Sequence, residues 1–323
     1  MHVRGFVRVL LRRTETEIDF ARSRRARSDV AVFHHFHAPP YGGGNQFLLA
    51  LRGELERRGL AVEVNRISGE TPACLYNSFN FDFGRLRRFE RDNVRMVHRV
   101  DGPVGVYRGF DDGTDRRIVE INALADATVL QSRYSLDKHR ELGLSLRNPV
   151  VIHNTVDPSI FHPPQARDRH ERLRVITTSW SDNPRKGADV LAWADEHLDF
   201  DSYELTFAGQ TQQPFRNINV VAPLASAPLA ELLRTQDVFL AASYDDPCSN
   251  ALLEGLACGL PAVFRRSGGH PELVGEAGIG FDEPEELPHA LARLRQELDA
   301  RRSAVRVPSL REVADRYLEL LRG

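Results

Sequence analysis

The sequence predicts an α/β protein built from two Rossmann-like, doubly wound halves that face each other across a cleft. Three observations carry this. Short apolar runs alternate with amphipathic helical patterns along almost the whole chain. The rhythm restarts after a proline-rich stretch near its middle. A Gly-rich turn follows the first strand. Strands joined through helices form parallel sheets, and two runs of similar length form two such sheets.

The first half opens with a buried strand, Val30 to Phe36, and a Gly-rich turn, Pro39-Pro40-Tyr41-Gly42-Gly43-Gly44. An amphipathic pattern follows (Phe47, Leu48, Leu51, Leu55), ended by Gly59, and then a second strand from Ala61 to Val64. Further strands are predicted over Val94 to Val100, Ala127 to Leu130 and Val150 to Asn154, with a helix over Ile118 to Leu124. Asp157-Pro158 and Pro163-Pro164 mark a boundary near Phe161 to Arg169. The second half reads as strands over Leu173 to Ser179, Glu204 to Ala208, Val220 to Ala222, Val238 to Ala241 and Ala262 to Phe264. Helices are predicted from Lys186-Gly187 to His197, over Leu229 to Arg234, Ala251 to Cys258, Leu287 to Arg301 and Leu310 to Leu321. The expected organisation is a basic extension over 1–27, a first domain over 28–165, a second over 166–308, and a last helix over 309–323 that crosses back to the first domain.

Composition narrows the function. The 323 residues are 41% hydrophobic and 27% charged, with a formal net charge of -2, which excludes a strongly basic nucleic-acid binder. Cys74, Cys248 and Cys258 are too few and too scattered for a disulfide framework or a zinc site, and fit a reducing cytoplasm. Arginines at 4, 8, 12 and 13 interrupt any apolar leader, so no secretory signal is expected. The eight arginines before position 28 suit either contact with an anionic membrane face or a solvated extension.

The chemistry concentrates between Ser243 and Pro261. Asp246 and Glu254 flank a helix start, and Asn250 and Glu254 share a helix face. The N–H groups near Ser249, Asn250 and Ala251 form an anion site suited to a diphosphate. Glu254 is placed to accept hydrogen bonds from a ribose diol, and Asp246 to hold sugar hydroxyls. The alternative is a capped core helix with Ser249 or Asn250 as N-cap and Asp246 as loop surface. His34, His35 and His37 read as a strand end rather than a metal site.

The segment resembles the E-x7-E motif of family 4 glycosyltransferases, retaining enzymes of the GT-B fold, whose pattern runs E-G-F-G-x-x-x-x-E-A-x-A-x-G-x-P. Glu254, Ala257, Gly259 and Pro261 match, Asp246 replaces the first Glu, and Pro247-Cys248-Ser249 replaces the glycine-rich part. The resemblance spans nearly the whole chain after residue 28. It includes Gly42-Gly43, the His98 to Gly102 segment, the Val151 to Asp157 hinge, Lys186-Gly187 and the turn Gly268-Gly269-His270-Pro271-Glu272. It implies transfer of a sugar from a nucleoside diphosphate sugar to a sugar, lipid-linked or polysaccharide acceptor, without metal or cofactor. It implies catalytic roles for His98, Lys186 and Asp246. Gly42, Gly43, Gly44, Arg185, Lys186, Ser249, Asn250, Ala251 and Glu254 would bind the donor. By location alone, Arg99, Asp101, Tyr107 and Arg108, with Asp115, would face the acceptor, the alternative being ordinary surface charge. The family's diphosphate-binding Arg is replaced by Ser181, and Arg185 stands nearby to supply the charge. A binding protein without turnover and an epimerase or hydrolase on the same fold are the competing readings.

Overall fold

The computed structural model describes residues 27–38, 41–89, 93–168 and 170–323. The basic segment before Arg27, the Pro39-Pro40 pair and Arg169 lie outside the described residues.

The first half runs β1 (Val30–Phe33), α1 (Gly43–Arg57), β2 (Val62–Val64), β3 (Ala73–Tyr76), α2 (Phe83–Phe89), β4 (Arg95–Val100), α3 (Val104–Arg108), α4 (Thr114–Asn122), β5 (Ala127–Leu130), α5 (Arg133–Glu141) and β6 (Pro149–Val151). The second half runs β7 (Leu173–Ser179), a 3-10 turn at Pro184–Lys186, α6 (Ala188–His197), β8 (Tyr203–Gly209), β9 (Asn219–Val221), α7 (Ser226–Arg234), β10 (Val238–Ala241), α8 (Asn250–Ala257), β11 (Ala262–Arg265), α9 (His270–Val274) and β12 (Gly278–Phe281). It closes with α10 (Leu287–Gln296), α11 (Leu298–Ser303) and α12 (Leu310–Arg322).

Each half forms a six-stranded parallel sheet, in the orders β2-β1-β3-β4-β5-β6 and β12-β11-β10-β7-β8-β9. The switch points fall between β1 and β3 and between β7 and β10, where open sheets of this kind place ligands outside the strand carboxyl ends. Alternation sets the layers. Val30 and Val32 face α1 and α12, while Ala31 and Phe33 face the layer of Phe81, Leu86 and Phe89.

The differences from sequence expectation have local causes. β3 is a fully buried run of four residues whose uniform apolarity hides its period. β12 carries two glycines, which weaken the strand signal; a side chain at Gly278 would strike the Ala262 carbonyl on β11. α5 buries only Leu136 among its apolar positions, so it shows little periodicity; its readable signal is the N-cap Ser132, which accepts from Ser135 N at 3.0 Å. The helix expected over Leu287 to Arg301 breaks at Glu297 into α10 and α11.

α12 begins with a reciprocal capping box between Ser309 and Glu312. Val313, Ala314, Tyr317, Leu318 and Leu321 then enter the core of the first half, with Tyr317 5.9 Å from the Phe47 ring. Among the described residues no helix is long and apolar enough to cross a membrane.

Because Tyr317 is fully buried in that core, Tyr317→Ala is expected to cost about 3–5 kcal/mol. Urea unfolding would show it as a lower midpoint with detachment of the C-terminal helix. A midpoint within error of the unaltered chain would mean that α12 is not anchored by this ring.

Candidate functional site

The site is assembled from loops at the two switch points. α1 opens at Gly42, the N-cap, and α8 opens at Ser249. Their first residues meet: a Cβ at Gly43 would overlap the Asn250 side chain. Two helix N-termini, one from each half, therefore converge on one spot, and each brings partial positive charge. Ser249 Oγ accepts from Leu252 N at 3.3 Å, so Ser249 is a cap and its hydroxyl is engaged within the helix. The N–H groups of Asn250 and Ala251 have no hydrogen-bond acceptor among the described residues.

Lys186 reaches this spot from the second half. Its Nζ lies 2.7 Å from Asp246 Oδ2. Burial favours the neutral form of Asp246, but the Lys186 ammonium and a Cys248 N–H hold its carboxyl below the usual carboxylate value. The Lys186-Gly187 pair has a steric explanation. Gly187 has φ +97°, and a Cβ there would lie 2.5 Å from Ala242 Cβ, so only glycine lets the turn pack against the end of β10. The Gly268-Gly269 pair is explained in the same way: Gly268, at φ +62°, abuts the Asp246 backbone, and Gly269 abuts the Pro247 carbonyl. That turn thus shapes the Asp246 loop.

Glu254 lies one turn into α8 and is buried, and its carboxyl has no hydrogen bond or ion pair to any described residue. Burial pushes that carboxyl up to about 8. A buried carboxylate without a partner is costly, and a ligand hydroxyl pair would satisfy it.

Several expected site residues lie elsewhere. His98 does not reach the cleft. It is fully buried, stacked on Tyr76 at 4.2 Å, with Nδ1 3.0 Å from the Asn122 amide, and burial lowers its pKa to about 3. Its neighbour Arg99 points to the opposite face of β4. Arg99 is also fully buried, so it is not an acceptor contact. Its guanidinium donates to Asn77 Oδ1 at 2.6 Å, Asp101 Oδ1 at 3.1 Å and Asn154 Oδ1 at 3.2 Å, and lies over Phe47. Arg185 pairs with Asp245, which also accepts from Tyr134 OH at 2.7 Å, so an incoming diphosphate would have to displace this partly exposed pair before Arg185 could supply the charge missing at Ser181. Asp115 caps α3 through Val104 N and Gly105 N, and Arg108 lies over Phe79. Asp101 is half-buried and also accepts from Gln131. Tyr107 sits beside Asp101 and Asp246; burial first, then these carboxylates, raise its phenol pKa. His34 is buried against Asn77, and His37 stacks on Tyr41, so these rings do not converge.

Other residues become visible only in the fold. Asn154 Nδ2 donates to Gln131 Oε1 at 2.8 Å and to Asn250 Oδ1 at 3.2 Å, which joins the Arg99 cluster to the start of α8. Glu272 accepts from Arg133 N at 2.8 Å and from Tyr134 N at 3.4 Å, so it caps α5 across the cleft. It also lies 2.6 Å from His153 Nε2, and these contacts outweigh burial to lower its pKa. Both residues belong to segments quoted from sequence, which gave no sign of their bridging roles.

Two outcomes follow from this geometry. Between pH 4.5 and about 8 the folded chain keeps a proton on Glu254 that the unfolded chain has released. Stability should therefore fall as pH rises through that window, by up to roughly 1.4 kcal/mol per pH unit. Glu254→Gln should flatten that slope in thermal melts from pH 5 to 8, and an unchanged slope would refute a buried, proton-holding Glu254. Glu272→Ala should cost about 1–2 kcal/mol and enlarge the radius of gyration in solution scattering. A variant as compact and stable as the unaltered chain would show that Glu272 does not hold the halves together.

Residues 172–297 match the family model described as Glycosyl transferases group 1. D-inositol 3-phosphate glycosyltransferase of Corynebacterium jeikeium is 27% identical over 173 residues, which cover 50% of this chain and 39% of that protein. A phosphatidylinositol N-acetylglucosaminyltransferase subunit of Homo sapiens is 28% identical over 148 residues, covering 42% of this chain and 30% of that protein. The matches thus span less than half the length of these curated relatives. Among solved structures, sucrose-phosphate synthase from Thermosynechococcus elongatus superposes with a TM-score of 0.69 at 15% identity, covering 92% of this chain and 98% of that one. Anabaena HepE in complex with UDP and glucose superposes with a TM-score of 0.68 at 15% identity, covering 92% and 100%. The chain has the two-domain GT-B fold, and its second half carries the match to glycosyl transferases group 1.

Proposed function

We propose that this protein is a retaining, family 4 glycosyltransferase that moves a sugar from a nucleoside diphosphate sugar to an acceptor hydroxyl. The observation that carries the reading is the meeting of two helix N-termini at Gly43 and Asn250, with Lys186 alongside. Like dipole ends repel, and a diphosphate between them would relieve the repulsion. The match of residues 172–297 and the solved complex of HepE with UDP and glucose support the same ligand class.

In this reading the second half holds the donor and the first half the acceptor. Glu254 accepts from the ribose diol. Asp246 takes sugar hydroxyls once Lys186 turns to the diphosphate. The bond from the anomeric carbon to the β-phosphate oxygen breaks as the acceptor oxygen bonds to that carbon from the same face. The leaving phosphate oxygen takes the acceptor proton. Lys186 and the helix N–H groups stabilise the charge on the leaving group, so the proposed step needs no metal. His98 is not assigned a chemical role, because its ring is enclosed in the first half. The names of the matched relatives include inositol phosphate and phosphatidylinositol, which makes hydroxylated rings, free or lipid-linked, the first acceptors to try.

Ser181 in the arginine position favours a second reading, a nucleotide-sugar binder without turnover. Release of nucleoside diphosphate from a panel of UDP-, GDP- and TDP-sugars decides between them. Lys186→Ala is expected to lower kcat by about 10²–10³-fold. Glu254→Ala is expected to weaken donor binding at least about tenfold. Binding without release, across donors and added acceptors, would establish the second reading. Normal binding and turnover by Glu254→Ala would remove that residue from the site.

A further inference from the structure

We propose that Tyr41 and Trp180 form an acceptor subsite that stacks on the apolar face of a pyranose ring, an assignment that rests on the sugar-transfer reading above. Among the described residues large aromatic side chains are mostly enclosed. Among the described residues the exposed ones are Tyr41 (38%), Trp180 (39%) and Phe110 (57%). All three stand on loops that border the cleft. Tyr41 immediately precedes the Gly42–Gly44 turn at the end of β1. Trp180 follows β7 directly. Phe110 follows Gly109, against which the Arg185 side chain packs.

The rings also pack on neighbouring rings. Tyr41 is stacked on His37, with centroids 3.9 Å apart and planes 24° apart. Its ring lies 5.7 Å from Trp180 across the cleft, tilted by 45°. The platform therefore has one wall from each half, and each of its two residues is partly exposed. Exposed aromatic faces in a cleft mark ligand contact, and their negative π surfaces attract the C–H hydrogens of a sugar face.

Sugar hydroxyls at the ring edge need donors and acceptors, and the same rim supplies them. Gln212 is held by Asp182 at 3.1 Å, Gln210 is anchored by its N–H on the Ser179 carbonyl at 3.1 Å, and Gln46 bridges to Ser226 at 3.4 Å. Amide side chains both donate and accept, as hydroxyl recognition requires. A nucleobase would also stack on such rings. However, Glu254 draws the ribose toward α8, whereas Tyr41 belongs to the first half, at the exposed edge of its glycine turn.

The test uses the full chain with Trp193→Phe, which leaves Trp180 as the single tryptophan of the two present. Its fluorescence is titrated with methyl β-glucoside, methyl β-galactoside, methyl α-mannoside and cellobiose, with the tightest-binding of UDP, GDP and TDP present at saturation. At least one pyranoside should give a saturable change. Tyr41→Ala should weaken that binding by about tenfold, and Tyr41→Phe should restore it, with nucleotide affinity unchanged within about twofold. If the nucleotide binds but no pyranoside responds, the subsite is refuted and the transfer reading stands. A loss of nucleotide affinity in Tyr41→Ala would assign the rings to the base instead. If none of the three nucleotides binds, the donor reading fails and the subsite with it.

Discussion

The cleft is organised around a concentration of positive charge that the protein must hold in place. The N-termini of α1 and α8 meet at Gly43 and Asn250, and the Arg99 guanidinium lies buried beside the first of them. Left alone, this arrangement would push the halves apart. Asp101 supplies the counter-charge to Arg99, and Asn77 and Asn154 accept from its terminal nitrogens, while its buried Nε–H has no partner among the described residues. Asn154 then passes the connection to Asn250, so the cluster inside the first half is hydrogen-bonded to the helix start of the second. Breaking a buried cluster of this kind leaves an uncompensated charge, which is why its members act as a unit.

A second set of contacts at the edge of the cleft has the opposite polarity. Glu272 places a carboxylate on the N-terminus of α5, and Arg185 pairs with Asp245 while Tyr134 hydrogen-bonds to the same carboxylate. These side chains are partly exposed, so each contact is weak and can be exchanged. The Arg99 guanidinium is enclosed, whereas the edge contacts are open to exchange with solvent. Lys186 lies between these regimes. It is partly exposed and paired with a buried carboxylate, so an incoming anion can compete for it.

His98 and Arg99 show how a strand's alternation decides function. They are adjacent at the carboxyl end of β4, and both looked like cleft residues in the sequence. The pleat sends them to opposite faces, and both end up fully enclosed. His98 becomes a neutral core ring beside Tyr76, and Arg99 becomes the buried cation that positions Asp101, Asn77 and Asn154. Position near a strand end is therefore not enough to make a side chain a ligand contact.

The sequence by itself determined the strand-helix rhythm, the two halves and the helix start at Ser249 to Ala251. These are local properties: apolar periodicity, cap chemistry and steric demands written within a few residues. It could not separate β3 from other apolar runs, nor find α5, whose polar sequence hides its period. Tertiary structure alone decided that the Glu254 carboxyl is buried without a partner, that Glu272 caps a helix of the other half, and that Tyr41 meets Trp180 across the cleft. Those facts depend on segments far apart in the chain meeting in space, and no local pattern encodes that distance.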